Sequence, residues 1–182
     1  MGKVYAEITP ELAAWVKAQR LFFVATAPLD RNGHVNCSPK GLDTLRITGP
    51  RSLAYLDLTG SGSETIAHVR ENGRIVLMFC AYDGPPKIVR FHGTAEVVSP
   101  EASDWQVLIR QFPPLPSARA IVSIQVTRIS DSCGYGVPKF NYVEDRDALI
   151  RWVHKKGEEN LPDYRRKNNA RSIDGLPGAD FD

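Results

Sequence analysis

The residues with the most chemical potential are Thr59-Gly60-Ser61-Gly62-Ser63-Glu64-Thr65, where two glycines and four hydroxyls precede the helix-compatible residues Ile66, Ala67, Val69 and Arg70. At a helix start the first N–H groups lack carbonyl partners and the macrodipole is positive, so such a turn suits an anion. Glycine lets the backbone come close, and Ser61, Ser63 and Thr65 can donate further hydrogen bonds. The same residues also fit a capped turn in which Ser63 satisfies its own helix, and both readings stay open. The GxxxxGK[ST] spacing of a triphosphate loop is missing, and no second acidic motif for magnesium accompanies the turn, which argues against triphosphate hydrolysis. A phosphate dianion needs positive charge as well as N–H groups. Lys40 is the first candidate to supply it, with Arg74 and Arg90 behind it, although each also reads as a solvated strand residue.

Other reactive side chains are scattered. His34, His68, His92 and His154 show neither HExxH nor close pairing, so no protein-only metal centre is expected. Cys37, Cys80 and Cys133 are widely separated, without CxxC or metal-ligand spacing, and are read as buried or idle thiols. Cys133-Gly134-Tyr135-Gly136-Val137-Pro138 reads as a glycine-rich turn or as a flexible wall over a groove. The basic residues Arg165, Arg166, Lys167 and Arg171, with Trp152, read as a solvated face or as a cover for an anionic substrate.

The elements that must position these residues are legible from pattern. Thr9-Pro10-Glu11 opens a helix over 10–20. Strands are expected at 21–27 and 34–38 around an Asn32-Gly33 turn, with Pro39 ending the second strand, bulging it or placing it at an edge. Further strands follow at 52–58, 74–81, 87–98 and 119–130, with a short helix after the turn at 59–65, another over 99–112 and a third over 144–156. Six strands with mostly short connections indicate a mainly β (α+β) fold, an antiparallel sheet or closed barrel with peripheral helices.

The 182 residues carry 23 Lys and Arg against 21 Asp and Glu, a net charge of +2, which gives no general case for nucleic-acid binding. With 42% hydrophobic and 24% charged residues the composition is that of a globular protein. One domain over 1–182 is expected, with 131–182 forming a C-terminal helical extension and tail. The longest apolar stretch, Leu21 to Ala27, falls short of the roughly 20 residues that cross a bilayer, and the N-terminus lacks the apolar segment of a secretory signal. No membrane association and a cytoplasmic location are expected.

The order of LFFVATA, NGHVNCSPKG, AYLDLTGSGSETIAHVRENGRIVLMF and KIVRFHGTAEVV, within about residues 8 to 130, resembles the pyridoxamine 5′-phosphate oxidase-like family of FMN-binding split barrels. The resemblance implies a six-stranded split β-barrel that pairs as a homodimer, with FMN at the subunit interface. It further implies that Lys40, Ser61, Ser63 and Thr65 hold the flavin phosphate and that Leu58 and Thr59 lie beside the ring, their alternative being strand packing and turn formation. The implied activity is flavin-dependent oxidation or reduction of a small organic substrate by hydride transfer, with no protein nucleophile required. Deazaflavin reduction and non-catalytic flavin or haem storage are the rivals. Two departures count against vitamin B6 oxidation itself. Gly60-Ser61-Gly62 stands where those oxidases usually carry Ser-Arg-Lys, and the tail Arg171 to Gly178 does not match their tryptophan- and arginine-containing end.

Overall fold

β-Branched and aromatic residues alternate with polar ones along much of the chain, and the computed structural model, which describes residues 2–179, shows the strands they form. These are β1 (Val4–Tyr5), β2 (Phe22–Thr26), β3 (Asn36–Lys40), β4 (Leu45–Gly49), β5 (Ser52–Leu58), β6 (Arg74–Cys80), β7 (Ile88–Val98) and β8 (Ala118–Ser132). All pairings are antiparallel, in the order β3-β2-β6-β7-β8-β5-β4, with β1 added to β8. The expected six strands are therefore corrected to eight. β1 has two residues, and β4 is a short edge strand, so neither gives the sustained alternation that marks a strand in sequence.

The sheet curls on itself. Phe22 on β2 and Tyr55 on β5 lie far apart in strand order, yet their rings meet edge to face at 5.9 Å. Phe22, Val24, Leu53, Tyr55, Leu77, Phe79, Val89, Phe91, Ile124 and Ile129 form one core with Leu12 and Val16 of helix α1 (Pro10–Ala18). A bulge in β8 opposite His92/Gly93, with Thr127 as the extra residue, bends the β7–β8 pair, and Gly93 is required there because a Cβ would collide with the Gln125 carbonyl. The result is an antiparallel split barrel with peripheral helices. β3 and β4 form the two lips of the split and are joined through residues 41–44.

Pro39 lies on edge strand β3, where a missing N–H costs no ladder bond. The β2–β3 connection is longer than a tight hairpin. Neither Asn32 nor Gly33 has positive φ, because both N–H groups fold back onto Asp30 instead. The expected helix over 99–112 shrinks to α3 (Trp105–Leu108) and a 3-10 turn at Ile109–Gln111. Trp105 and Phe112 pin this segment to the outer face of β5 and β8 through Ala54, Leu56 and Ile121. Helix α2 (Glu64–Asn72) follows β5, and α4 (Ala148–Lys156) starts four residues later than expected. A further helix, α5 (Leu161–Asn169), occupies what reads in sequence as a polar tail. No helix among the described residues is long and apolar enough to cross a membrane.

Candidate functional site

Alternation along β5 sends Leu53 and Tyr55 into the barrel core and Ala54 and Leu56 outward, so Asp57 inherits the inward direction. Its carboxylate is 1% exposed. Burial alone would push its pKa up, but two cations outweigh that and hold it below the ordinary carboxylate value. Lys40 Nζ, from the end of β3, donates to Oδ1 at 2.9 Å, and Arg119 Nε, from β8, donates to Oδ2 at 2.6 Å. The ladder pairs Asp57 with Ala120 and Leu58 with Ala118, leaving Arg119 as the extra residue of a bulge that aims it at Asp57.

From Asp57 the hydrogen bonds run directly into the turn. Arg119 donates through Nη2 to the Gly62 carbonyl at 2.9 Å and through Nη1 to Asn169 Oδ1 at 2.8 Å. Asn169 Nδ2 donates to the Gly60 carbonyl at 3.0 Å. Thr59 fixes the start of the turn, since its N–H and hydroxyl both donate to the Ser117 carbonyl. Arg165 Nε, from α5, donates to Thr59 Oγ1 at 2.9 Å, while Nη2 reaches the Ala118 carbonyl at 3.0 Å. The turn's glycine carbonyls thus face protein donors, whereas the N–H groups from Gly60 to Thr65 have no acceptor among the described residues. Carbonyls tied back and amides left over is the polarity of an anion-binding helix start.

The structure brings only some of the sequence-expected residues to the turn. Lys40 is half-buried, its side chain 22% exposed, and ion-paired to Asp57. Leu58 packs against the outer cluster around Trp105 and Phe112. Thr59 is buried in the hydrogen bonds above, and Ser61 is exposed. Ser63 is buried, makes no side-chain cap bond, and donates to the Arg171 carbonyl at 3.4 Å. Thr65 is buried and accepts from Asn36 Nδ2 at 3.0 Å. Arg74 and Arg90 are bonded elsewhere, to Asn72 and Pro28 and to Ser132 respectively. Sequence reasoning missed Asp57, Arg119 and Asn169 as partners of the turn and read Arg165 as part of a solvated face or of a cover for an anionic substrate, not as a partner of Thr59. The available signals were a carboxylate interrupting the apolar run AYLDL and an arginine opening the apolar run AIVSI.

The C-terminal segment lies along the other side of α2. Glu64 accepts from the Ile173 N–H, and Asp174 accepts from both the N–H and Nδ1 of His34, the latter at 2.6 Å. Gly178 is packed so tightly that a Cβ would strike Ser63 Oγ and the Asn169 carbonyl. Two buried polar atoms beside this region lack a partner among the described residues, Tyr55 Oη and His68 Nε2. His68 Nδ1 meets Thr26 Oγ1 at 2.9 Å. Burial, with the Asp57 charge adding to it, raises the Tyr55 pKa well above its ordinary value. Elsewhere, Tyr135 and Cys133 are exposed on the rim of a cavity of about 760 Å³ that also touches Trp15 and Lys87.

Comparison with known proteins gives this geometry a context. Residues 8–133 match the family model described as pyridoxamine 5′-phosphate oxidase. A pyridoxamine 5′-phosphate oxidase family protein of Aspergillus flavus, ustO, is 35% identical, with the match covering 96% of this chain and 76% of that protein. Among solved structures, HupZ from Group A Streptococcus aligns with a TM-score of 0.53 at 27% identity, over 67% of this chain and 91% of that one. An FAD-binding protein from Mesorhizobium loti aligns with a TM-score of 0.52 at 14% identity, over 72% and 96%, a likeness of fold alone.

Proposed function

Because the chain belongs to the pyridoxamine 5′-phosphate oxidase family, we propose that it is a cytoplasmic, homodimeric FMN-binding oxidoreductase acting on a small organic substrate. The single observation that carries this reading is the anion-shaped turn between β5 and α2, with unused amides and Lys40, Arg119 and Arg165 against one buried carboxylate, Asp57. The donor set fits a phosphoryl group. Lys40 spends one N–H on Asp57, Ser61 is exposed and uncommitted, and a Cβ at Gly60 would meet only ordinary contact, so the backbone there stands clear.

In this reading the amides of residues 60–65, Ser61 and Lys40 hold the phosphate. Thr65 is kept in place by Asn36, and Ser63 by the tail. Leu58 and Thr59 fix the end of β5, which sets where a ring can lie relative to that phosphate. When bound, flavin supplies the capacity to accept or donate a hydride, and the protein's part is to orient it and exclude water. The free thiols of Cys37, Cys80 and Cys133 agree with a reducing compartment. The dimer is supported by an apolar outer surface on β3, β2 and β6, where Pro39, Phe23 and Met78 pair in one row and Cys37, Ala25 and Val76 in the next. Among the described residues, none of these six belongs to a buried hydrophobic cluster, and Pro39 and Cys37 are exposed.

Mass spectrometry of whatever the purified protein releases on denaturation, after an absorbance spectrum of the native sample, tests the reading. FMN is the expected mass. Deazaflavin or haem would replace it, and a colourless protein that takes up no flavin on titration would overturn it.

A further inference from the structure

The turn Thr59 to Thr65 contains no lysine or arginine, so any charge that neutralises a phosphate there must arrive from elsewhere in the fold. Two guanidinium groups do arrive. Arg119 is 4% exposed and already balanced by Asp57, with which Lys40 also pairs. Arg165 is different. It is half-buried and bonded to a hydroxyl and a carbonyl, and no carboxylate lies within ion-pair distance of it among the described residues. Burial, and after it the charge of Arg119, work against its cationic form, while Asp57 and Glu101 offset only part of that.

Among the described residues three cations share one buried carboxylate, with Glu101 offsetting part of the remainder, and an excess of positive charge in a partly desolvated place is costly unless an anion completes it. Other loose ends lie in the same neighbourhood. Among the described residues, the amides of residues 60–65 have no acceptor and the buried Tyr55 Oη has no hydrogen-bond partner, its ring 5.7 Å from Lys40 Nζ. Glu64, the acid that would oppose an anion, is engaged by the Ile173 N–H in the tail.

We propose that Arg165 on α5 is a phosphate-binding residue, so that the C-terminal helix, outside the family-matched segment, completes the anion site and is tightened onto the barrel by the bound phosphate. This rests on the FMN reading, and it explains how the chain manages with Gly60-Ser61-Gly62. The guanidinium is held to the first residue of the turn by Thr59 Oγ1 and to β8 by the Ala118 carbonyl, leaving further N–H groups for a ligand. Asn169, one helical turn further along α5, bonds the Gly60 carbonyl and Arg119, so α5 touches the turn at two points.

The test titrates full-length wild type, Arg165→Gln and Lys167→Gln with FMN and with riboflavin, which lacks the phosphate. Wild type and Lys167→Gln are expected to prefer FMN. Arg165→Gln is expected to lose about tenfold in FMN affinity while keeping riboflavin affinity, the scale of one charge-assisted hydrogen bond. Arg165→Gln that keeps the full FMN preference overturns the inference and leaves the FMN reading standing. Wild type that binds neither ligand, or both equally, overturns both. Should Arg165→Gln fail to fold, hydrogen exchange on the wild type decides. Amides of 161–169 should be protected more by FMN than by riboflavin, and equal protection counts against the inference.

Discussion

Asp57 is the residue on which the electrostatics of the site turn, because among the described residues it is the one carboxylate that both Lys40 and Arg119 share. Removing one partner of a buried ion pair strands the other, so Asp57→Asn is expected to cost about 3 kcal/mol in urea unfolding near neutral pH. The pH dependence has a definite sign. The folded pKa of Asp57 lies below its ordinary 3.8, so its stabilisation is complete above that value and is lost as pH falls towards the lower folded one. The gap between wild type and Asp57→Asn should therefore narrow below pH 3.8. A gap that stays constant on acidification would mean that folding leaves the Asp57 pKa unshifted, and one that widens would mean that folding raises it. The same substitution leaves Lys40 and Arg119 with no counter-charge, which on the FMN reading favours the phosphate even as the fold weakens.

At the scale of elements, the segment 171–178 is a clasp that holds the start of α2 against the loop before β3. Its outer fastening is His34 with Asp174. The hydrogen bond and charge of Asp174 raise the His34 pKa above 6.5, with Glu64 adding to the effect, and the same bond lowers that of Asp174. The His34 contribution is thus present below 6.5 and lost as pH rises through the raised value, while that of Asp174 is lost only on acidification below 3.8. Hydrogen exchange of the 172–178 amides should be faster, after correction for intrinsic rates, at pH about 8.5 than at about 5.5, and His34→Gln should abolish the difference. An identical change in the variant would place the pH effect elsewhere.

Elements with a strong pattern were readable from the chain. The sheet-forming runs from Arg74 to Val98 and from Arg119 to Ser130, the cap Thr9-Pro10 of α1 and the start of α2 all follow from local chemistry. What escaped depends on tertiary contact. α5 has only Leu161 and Asn169 buried, so LPDYRRKNN has no apolar stripe, and its helical signs were Pro162, Asp163 in the first turn and Arg166 and Lys167 in the last. Asp57, Arg119 and Arg165 are separated by 46 residues or more in sequence, and no spacing rule joins them before β5, β8 and α5 are packed together.

For the whole molecule, the proposed dimer would close on the outer rows of β3, β2 and β6, and so on the strand that carries Lys40. Sedimentation should give a dimer for the wild type, and Met78→Lys, which buries a charge in that surface, should shift it towards monomer and weaken FMN binding with it. A wild type that sediments as a monomer would remove the seam from the proposal. The measurement that bears most directly on function is a crystal structure of the protein grown with FMN. The expected result is the phosphate on the amides of Gly60 to Thr65 within reach of Lys40, with the ring at the subunit boundary. FMN lodged elsewhere with the turn empty, or the turn amides closed by the tail with no ligand retained, would contradict it.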